Sequence, residues 1–79
     1  MMSTRLNIRD VHAERVWAAM RAHADEISEV RDVLPLPELR HLNGEQVVVA
    51  IADNVAMGRV TGASGCGRIR AVDPEEQAA

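Results

Sequence analysis

Apolar residues recur with helical spacing along the first third of the chain. Ala13, Val16, Trp17, Met20, Ala24, Ile27, Val30 and Leu34 fall within ~100–140° of one helical wheel. Glu14, Arg21, Asp25, Glu29 and Asp32 fall on the opposite side. Asn7 is a good N-cap with Asp10 at the third helical position, and Leu6 and Val11 are spaced as a hydrophobic staple. Pro35 disfavours helical geometry at Leu34. The pattern therefore predicts one amphipathic helix from Ile8 to Val33, with no Gly or Pro to force a break near Ala24–Asp25. Its acidic flank, Asp25, Glu26, Glu29 and Asp32, reads as a solvated face, or as a phosphate mimic towards a basic partner.

Beyond the extended link Leu34-Pro35-Leu36-Pro37, Pro37 suits the first turn of a short helix through Leu42, with Leu36, Leu39 and Leu42 on one side. Asn43-Gly44 ends it. The chain then turns aliphatic and β-branched. Gln46–Ala52, Val55–Thr61 and Cys66–Val72 read as three strands, joined by Asp53-Asn54 and by Gly62-Ala63-Ser64-Gly65.

Pairing Ala52 with Val55 and Thr61 with Cys66 sorts the side chains into two faces. Val47, Val49, Ile51, Ala56, Gly58, Val60, Gly67, Ile69 and Ala71 share a face without a polar side chain. Arg59, Arg68 and Arg70 crowd the other face, beside Met57, Val55 and Ala50. A slip of one residue would mix arginine into the core. The predicted fold class is α+β: one long N-terminal amphipathic helix packed on a three-stranded antiparallel β-meander, in two layers. Residues 1–72 form a single small domain and residues 73–79 an acidic flexible tail.

Two features of this expected fold are left unfinished. A helix from Ile8 to Val33 is ~39 Å long, whereas seven-residue strands span ~24 Å, so part of the apolar stripe overhangs the sheet. Either the leucines of residues 36–42 or a second copy of the chain covers it. The first strand lies at an edge yet is apolar on both faces, which invites pairing with residues Thr4–Asn7 or with a neighbouring subunit.

Composition sharpens the same point. In 79 residues there is no Phe or Tyr, and Trp17 is the only aromatic, so the core lacks the residues that bury most area. A chain this short is marginal by itself. The single Cys66 excludes an internal disulfide. No run approaches the ~20 apolar residues of a membrane span, and the expected location is cytoplasmic. The net charge of −3 is uneven: residues 40–72 are mildly basic and flanked by acid, unlike the footprint of a strong nucleic-acid binder.

Candidate reactive groups do not converge. His12 and His23 are about three helical turns apart, too far for one metal ion, and clusters such as C-x-x-C are absent. Cys66 and His41 have no spacing that marks a catalytic pair. The glycine-rich run Gly62–Gly67 lacks the Lys and Ser/Thr of a phosphate-binding loop. No catalytic residue, metal or other cofactor is expected.

The arginine face carries the functional expectation. Like charges on adjacent strands repel, and guanidinium groups bind carboxylate or phosphate in bidentate fashion. Arg59, Arg68, Arg70 and Met57 therefore mark a partner-binding face, and the mixture of Arg with Met suits a protein interface. The alternative is a weak nucleic-acid binder, disfavoured because no aromatic lies on the sheet to stack bases. The expected function is that of a small non-catalytic regulator, inhibitor or adaptor, of the kind found in bacterial or phage genes. It would bind a larger protein and self-associate through the unfinished surfaces.

Overall fold

The computed structural model describes residues 7–63 and 67–78. Helix α1 spans Ile8–Ala22, a 3-10 turn Ala24–Glu26, helix α2 Val30–Val33, a second 3-10 turn Pro37–Leu39, and helix α3 Gly44–Ala56. Strands β1 (Val60–Ala63) and β2 (Arg68–Ala71) form an antiparallel hairpin, and Pro74–Ala78 make the short helix α4. Helices and a two-stranded sheet thus replace the expected helix on a three-stranded meander.

The main correction concerns residues 46–56, expected as a strand, a turn and the start of a second strand. They form α3, and both of its ends are held by local chemistry. The Asn43 side chain accepts from the Gln46 N–H at 2.8 Å, and the Gln46 side chain accepts from the Asn43 N–H at 2.9 Å. This reciprocal capping box satisfies two donors that a helix start leaves open.

At the other end Gly58 adopts φ +77°. Its N–H donates to the Val55 carbonyl at 3.1 Å, and the Arg59 N–H donates to the Asn54 carbonyl at 2.8 Å. That pair of bonds is a Schellman stop, which calls for glycine at the left-handed position. The buried residues of α3 are Val47, Ala50, Ile51 and Asn54, the i, i+3, i+4, i+7 spacing of one helical face.

The long first helix is also corrected. It ends at Ala22, and the chain restarts at α2 through a second local cap. The Asp32 carboxylate accepts from the backbone N–H of Ser28 and of Glu29, each at 3.0 Å. The break removes the overhang that a straight rod would have had. Val33 and then Leu36 and Leu39 return to the core instead.

That core joins Val16, Trp17, Ala19 and Met20 of α1 to Val47, Ala50 and Ile51 of α3 and to Val60 of β1. Leu42, Ile69 and Ala71 pack at its margin. Leu34, placed on the apolar stripe by its spacing, is 41% exposed.

In the hairpin, Val60 faces Ala71, Thr61 faces Arg70, Gly62 faces Ile69 and Ala63 faces Arg68. Thr61 was expected opposite Cys66, so the register differs by four residues. An even shift leaves each side chain on its own face. Val60, Ile69 and Ala71 accordingly turn inward, while Thr61, Arg68 and Arg70 stay exposed. The outer edge of β2 is occupied: Glu29 bridges Arg68, and the Ile69 N–H donates to the Ser28 carbonyl at 2.9 Å.

Asp73, expected in the tail, is tied to α4, since its N–H donates to Glu76 Oε1 at 3.2 Å. Four sequence expectations lie outside the described residues: the Leu6 half of the staple, pairing by Thr4–Leu6, the Ser64-Gly65 part of the turn, and Cys66.

Candidate interaction surfaces

The three arginines expected on one sheet face are separated by the fold. Arg59 lies before β1 and turns inward. Its guanidinium carbon sits 4.6 Å from the centre of the Trp17 ring, and Arg21 lies over the same ring at 4.4 Å. Two cations on one indole are attracted to its negative face, and the second charge is offset by Glu14, 2.9 Å from Arg59 Nη2. Trp17 Nε1 donates to the Val72 carbonyl at 3.0 Å within the core. Arg59 is therefore bound into the packing of α1 against the hairpin.

Arg68 and Arg70 remain on the outer face of β2, both exposed. Arg70 Nη1 is 3.7 Å from Glu76 Oε1, and Arg68 has no ion pair among the described residues. Thr61, Gly62, Arg68, Ile69 and Arg70 line a shallow depression of about 290 Å³ on this side of the hairpin. Met57, placed beside the arginines by the expected strand, caps the C-terminus of α3 and is 40% exposed.

A second surface lies along α3. Val48 and Val55 are 48% and 46% exposed, and Ala52 and Ala56 between and beyond them are exposed as well. At ~100° per residue these four side chains occupy one sector of the helix. Glu45, at its N-terminal end, is the only charge in that sector. A helix apolar on all sides normally has neighbours on all sides. Here the core buries the face of Val47, Ala50, Ile51 and Asn54, while the sector of Val48, Ala52 and Val55 stays exposed.

The acidic group Asp25, Glu26, Glu29 and Asp32 is not a helix face, because the helix stops before it. Three of its members serve local structure. Glu26 and Glu38 hold the two ring nitrogens of His23 at 3.0 and 2.7 Å. Glu29 pairs with Arg31 at 3.2 Å. Asp32 caps α2, and the N–H groups of Ser28 and then Glu29 hold its carboxyl below the usual carboxylate range. A carboxylate only accepts, so the imidazolium form of His23, which donates from both nitrogens, is the form that two carboxylates at 3.0 and 2.7 Å favour. Glu38 first and Glu26 second push its pKa up.

A groove of about 250 Å³ between α1 and α3 is lined by Ile8, His12, Glu45 and Val49 and closed by the Arg9–Asp53 pair. That pair is bidentate, at 3.0 and 2.7 Å, and it depresses the Asp53 pKa. His41 is exposed. Among the described residues no group of His, Cys, Asp and Glu is placed to hold a metal ion, and no helix is long and apolar enough to cross a membrane. The chain matches no family model, no curated protein and no solved structure.

The surface along α3 is not visible in the hydrophobic pattern, because residues 46–52 fit a strand's period of two as well as a helix. The signals that would have revealed it are Asn43 with Gln46 at one end and Gly58 at the other.

Proposed function

We propose that the protein is a small non-catalytic interaction module that binds a larger protein partner through the outward sector of α3. The exposed stripe Val48–Ala52–Val55 is the observation that carries this reading. Its fitting occupant is a partner helix with an apolar stripe, laid along α3, with a basic residue placed at the Glu45 end where the sector carries its single charge. Helix-in-groove recognition of this kind is read through anchors spaced i, i+4, i+7. The alternative of nucleic-acid binding loses support, since Arg59 is engaged by Trp17 and Glu14.

The test pairs the wild-type chain with a Val48→Asp/Val55→Asp variant whose helical circular dichroism is unchanged. Both are used as bait in a lysate and both are sized by light scattering. One stoichiometric polypeptide retained by the wild type and lost by the variant is the expected result. Equal retention by both baits would reject this face. A wild-type dimer that the variant reduces to a monomer would assign the face to self-association instead.

A further inference from the structure

A second, independent feature of the hairpin is the edge of β1 that faces away from β2. The Val72 N–H donates to the Arg59 carbonyl at 2.7 Å, so positions 59 and 72 are a hydrogen-bonded pair of the ladder. Such pairs alternate along an antiparallel ladder. With the observed register, Thr61 and Arg70 then bond to each other, whereas the main-chain groups of Val60 and Gly62 point away from β2. The same alternation turns the main-chain groups of Ile69 to the outer edge of β2, where its N–H meets the Ser28 carbonyl.

One outer edge of the hairpin is thus taken, and the other is left open by the described residues. Val60 is buried, but Gly62 is exposed, and its outward N–H and C=O have no partner among the described residues. An open edge of this kind is a template for another strand.

The side chains one strand in from that edge, which share a depression with Thr61 and Gly62, say what the strand would carry. Arg68 and Arg70 project from the outer face, one without an ion pair among the described residues and one held only at 3.7 Å by Glu76. Both suit carboxylates.

We propose that the open edge of β1 takes an extended acidic segment of a protein partner, its backbone pairing with Gly62 and its carboxylates meeting Arg68 and Arg70. The incoming carboxylate displaces Glu76 from Arg70. Phosphate backbones share the charge but bring no strand to pair with Gly62, and this face has no aromatic side chain on which bases would stack. The surface is separate from that of α3, so either can fail without the other.

The probes are capped hexapeptides alternating Glu with Val or Lys with Val, and a ten-nucleotide oligothymidylate, each titrated into the labelled chain by NMR. The Glu–Val peptide is expected to bind, to shift the amides of Gly62, Arg68 and Arg70, and to slow hydrogen exchange at Gly62. The Lys–Val peptide is expected not to bind.

Arg68→Gln/Arg70→Gln should weaken binding about tenfold, the sum of two exposed charge pairs. Arg68→Glu/Arg70→Glu should exchange the preference for the two peptides. Glu76→Gln, which keeps an acceptor for the Asp73 N–H, should tighten binding severalfold. Each variant is checked for an unchanged titration of His23, which reports a preserved fold away from the hairpin. Failure of the acidic peptide to bind, binding without protection of Gly62, or equal binding of the Lys–Val peptide would each overturn the proposal. Oligothymidylate binding of equal strength with the same arginine dependence would assign the face to nucleic acid.

Discussion

The guanidinium of Arg59 rests on the indole of Trp17, 4.6 Å from the ring centre, and so joins the segment that opens the hairpin to the middle of α1. The contact is part of a closed circuit. Trp17 donates to the Val72 carbonyl, Val72 donates to the Arg59 carbonyl, and Arg59 holds Glu14 one turn before Trp17. A chain with a single aromatic residue thus uses that residue to fix the sheet on the helix.

Trp17→Phe keeps most of the apolar area and the ring for the two cations but removes the buried Nε1 donor. The Val72 carbonyl then loses a partner, and a smaller ring leaves space behind. We expect a loss of about 2–3 kcal/mol in urea unfolding. Arg59→Lys, which keeps the charge beside Glu14, should cost less than about 1 kcal/mol. A Trp17→Phe loss no larger than that of Arg59→Lys would show that neither the Nε1 bond nor the extra area of the indole holds the hairpin on α1.

Asn54 is fully buried on α3, and its Nδ2 donates to the Ala13 carbonyl of α1 at 2.9 Å. Its Oδ1 has no hydrogen-bond partner among the described residues. Asn54→Asp removes the donor and places a second acceptor against Ala13. We expect a destabilisation of at least about 3 kcal/mol at neutral pH, shrinking as acid protonates the new carboxyl. Chemical denaturation at two pH values measures both. A loss independent of pH would refute the assigned bond.

His23 sets a pH dependence whose sign follows from its partners. Its folded pKa lies above the ordinary 6.5, so the stabilisation is complete below the unfolded value and is lost as pH rises through the folded one. Glu38, Asp53 and Asp32 lie below their ordinary values. Their contributions are present above the unfolded carboxylate values and are lost as pH falls through the folded ones. Stability should therefore be greatest between the carboxylate range and about pH 6.5. In a Glu38→Gln variant the His23 titration, followed by NMR, should move down towards 6.5. An unmoved titration would detach Glu38 from the effect.

The outward side chains of α3 contribute little to folding in isolation. Val48→Ser and Val55→Ser should change stability by no more than about 0.5 kcal/mol each, as for other exposed positions. Gly58→Ala, which forces a Cβ into φ +77°, should cost about 1 kcal/mol. Thermal unfolding of the three variants provides the comparison. A loss of more than about 1 kcal/mol at Val48 would mean that the described fold already covers that residue.

Much of the first half of the fold is written in local chemistry. Asn7 caps α1 by accepting from the Arg9 N–H, and Ala13, Val16, Trp17 and Met20 are buried as their spacing requires. Leu36 and Leu39 return to the core behind Pro37. The two faces of the hairpin were also legible, since parity along a strand survives a register shift of an even number of residues. The arginine cluster was not. Arg68 and Arg70 follow from parity, but Arg59 lies outside the strand, and nothing in its neighbours announces an indole contributed by a residue far away in the chain.

Residues 46–56 divide the two kinds of information most sharply. A run of Val, Ala and Ile fits a buried strand and a buried helix equally well by hydrophobicity. Local sequence could still decide between them, through the Asn43–Gln46 box and the Gly58 stop, because a cap is a short-range hydrogen bond that needs no partner from elsewhere. What α3 would leave uncovered, and where the helix begun at Ile8 would yield, depended on which surfaces meet. Burial and like-charge spacing are settled only when distant segments come together, and the sequence alone holds no distance between them.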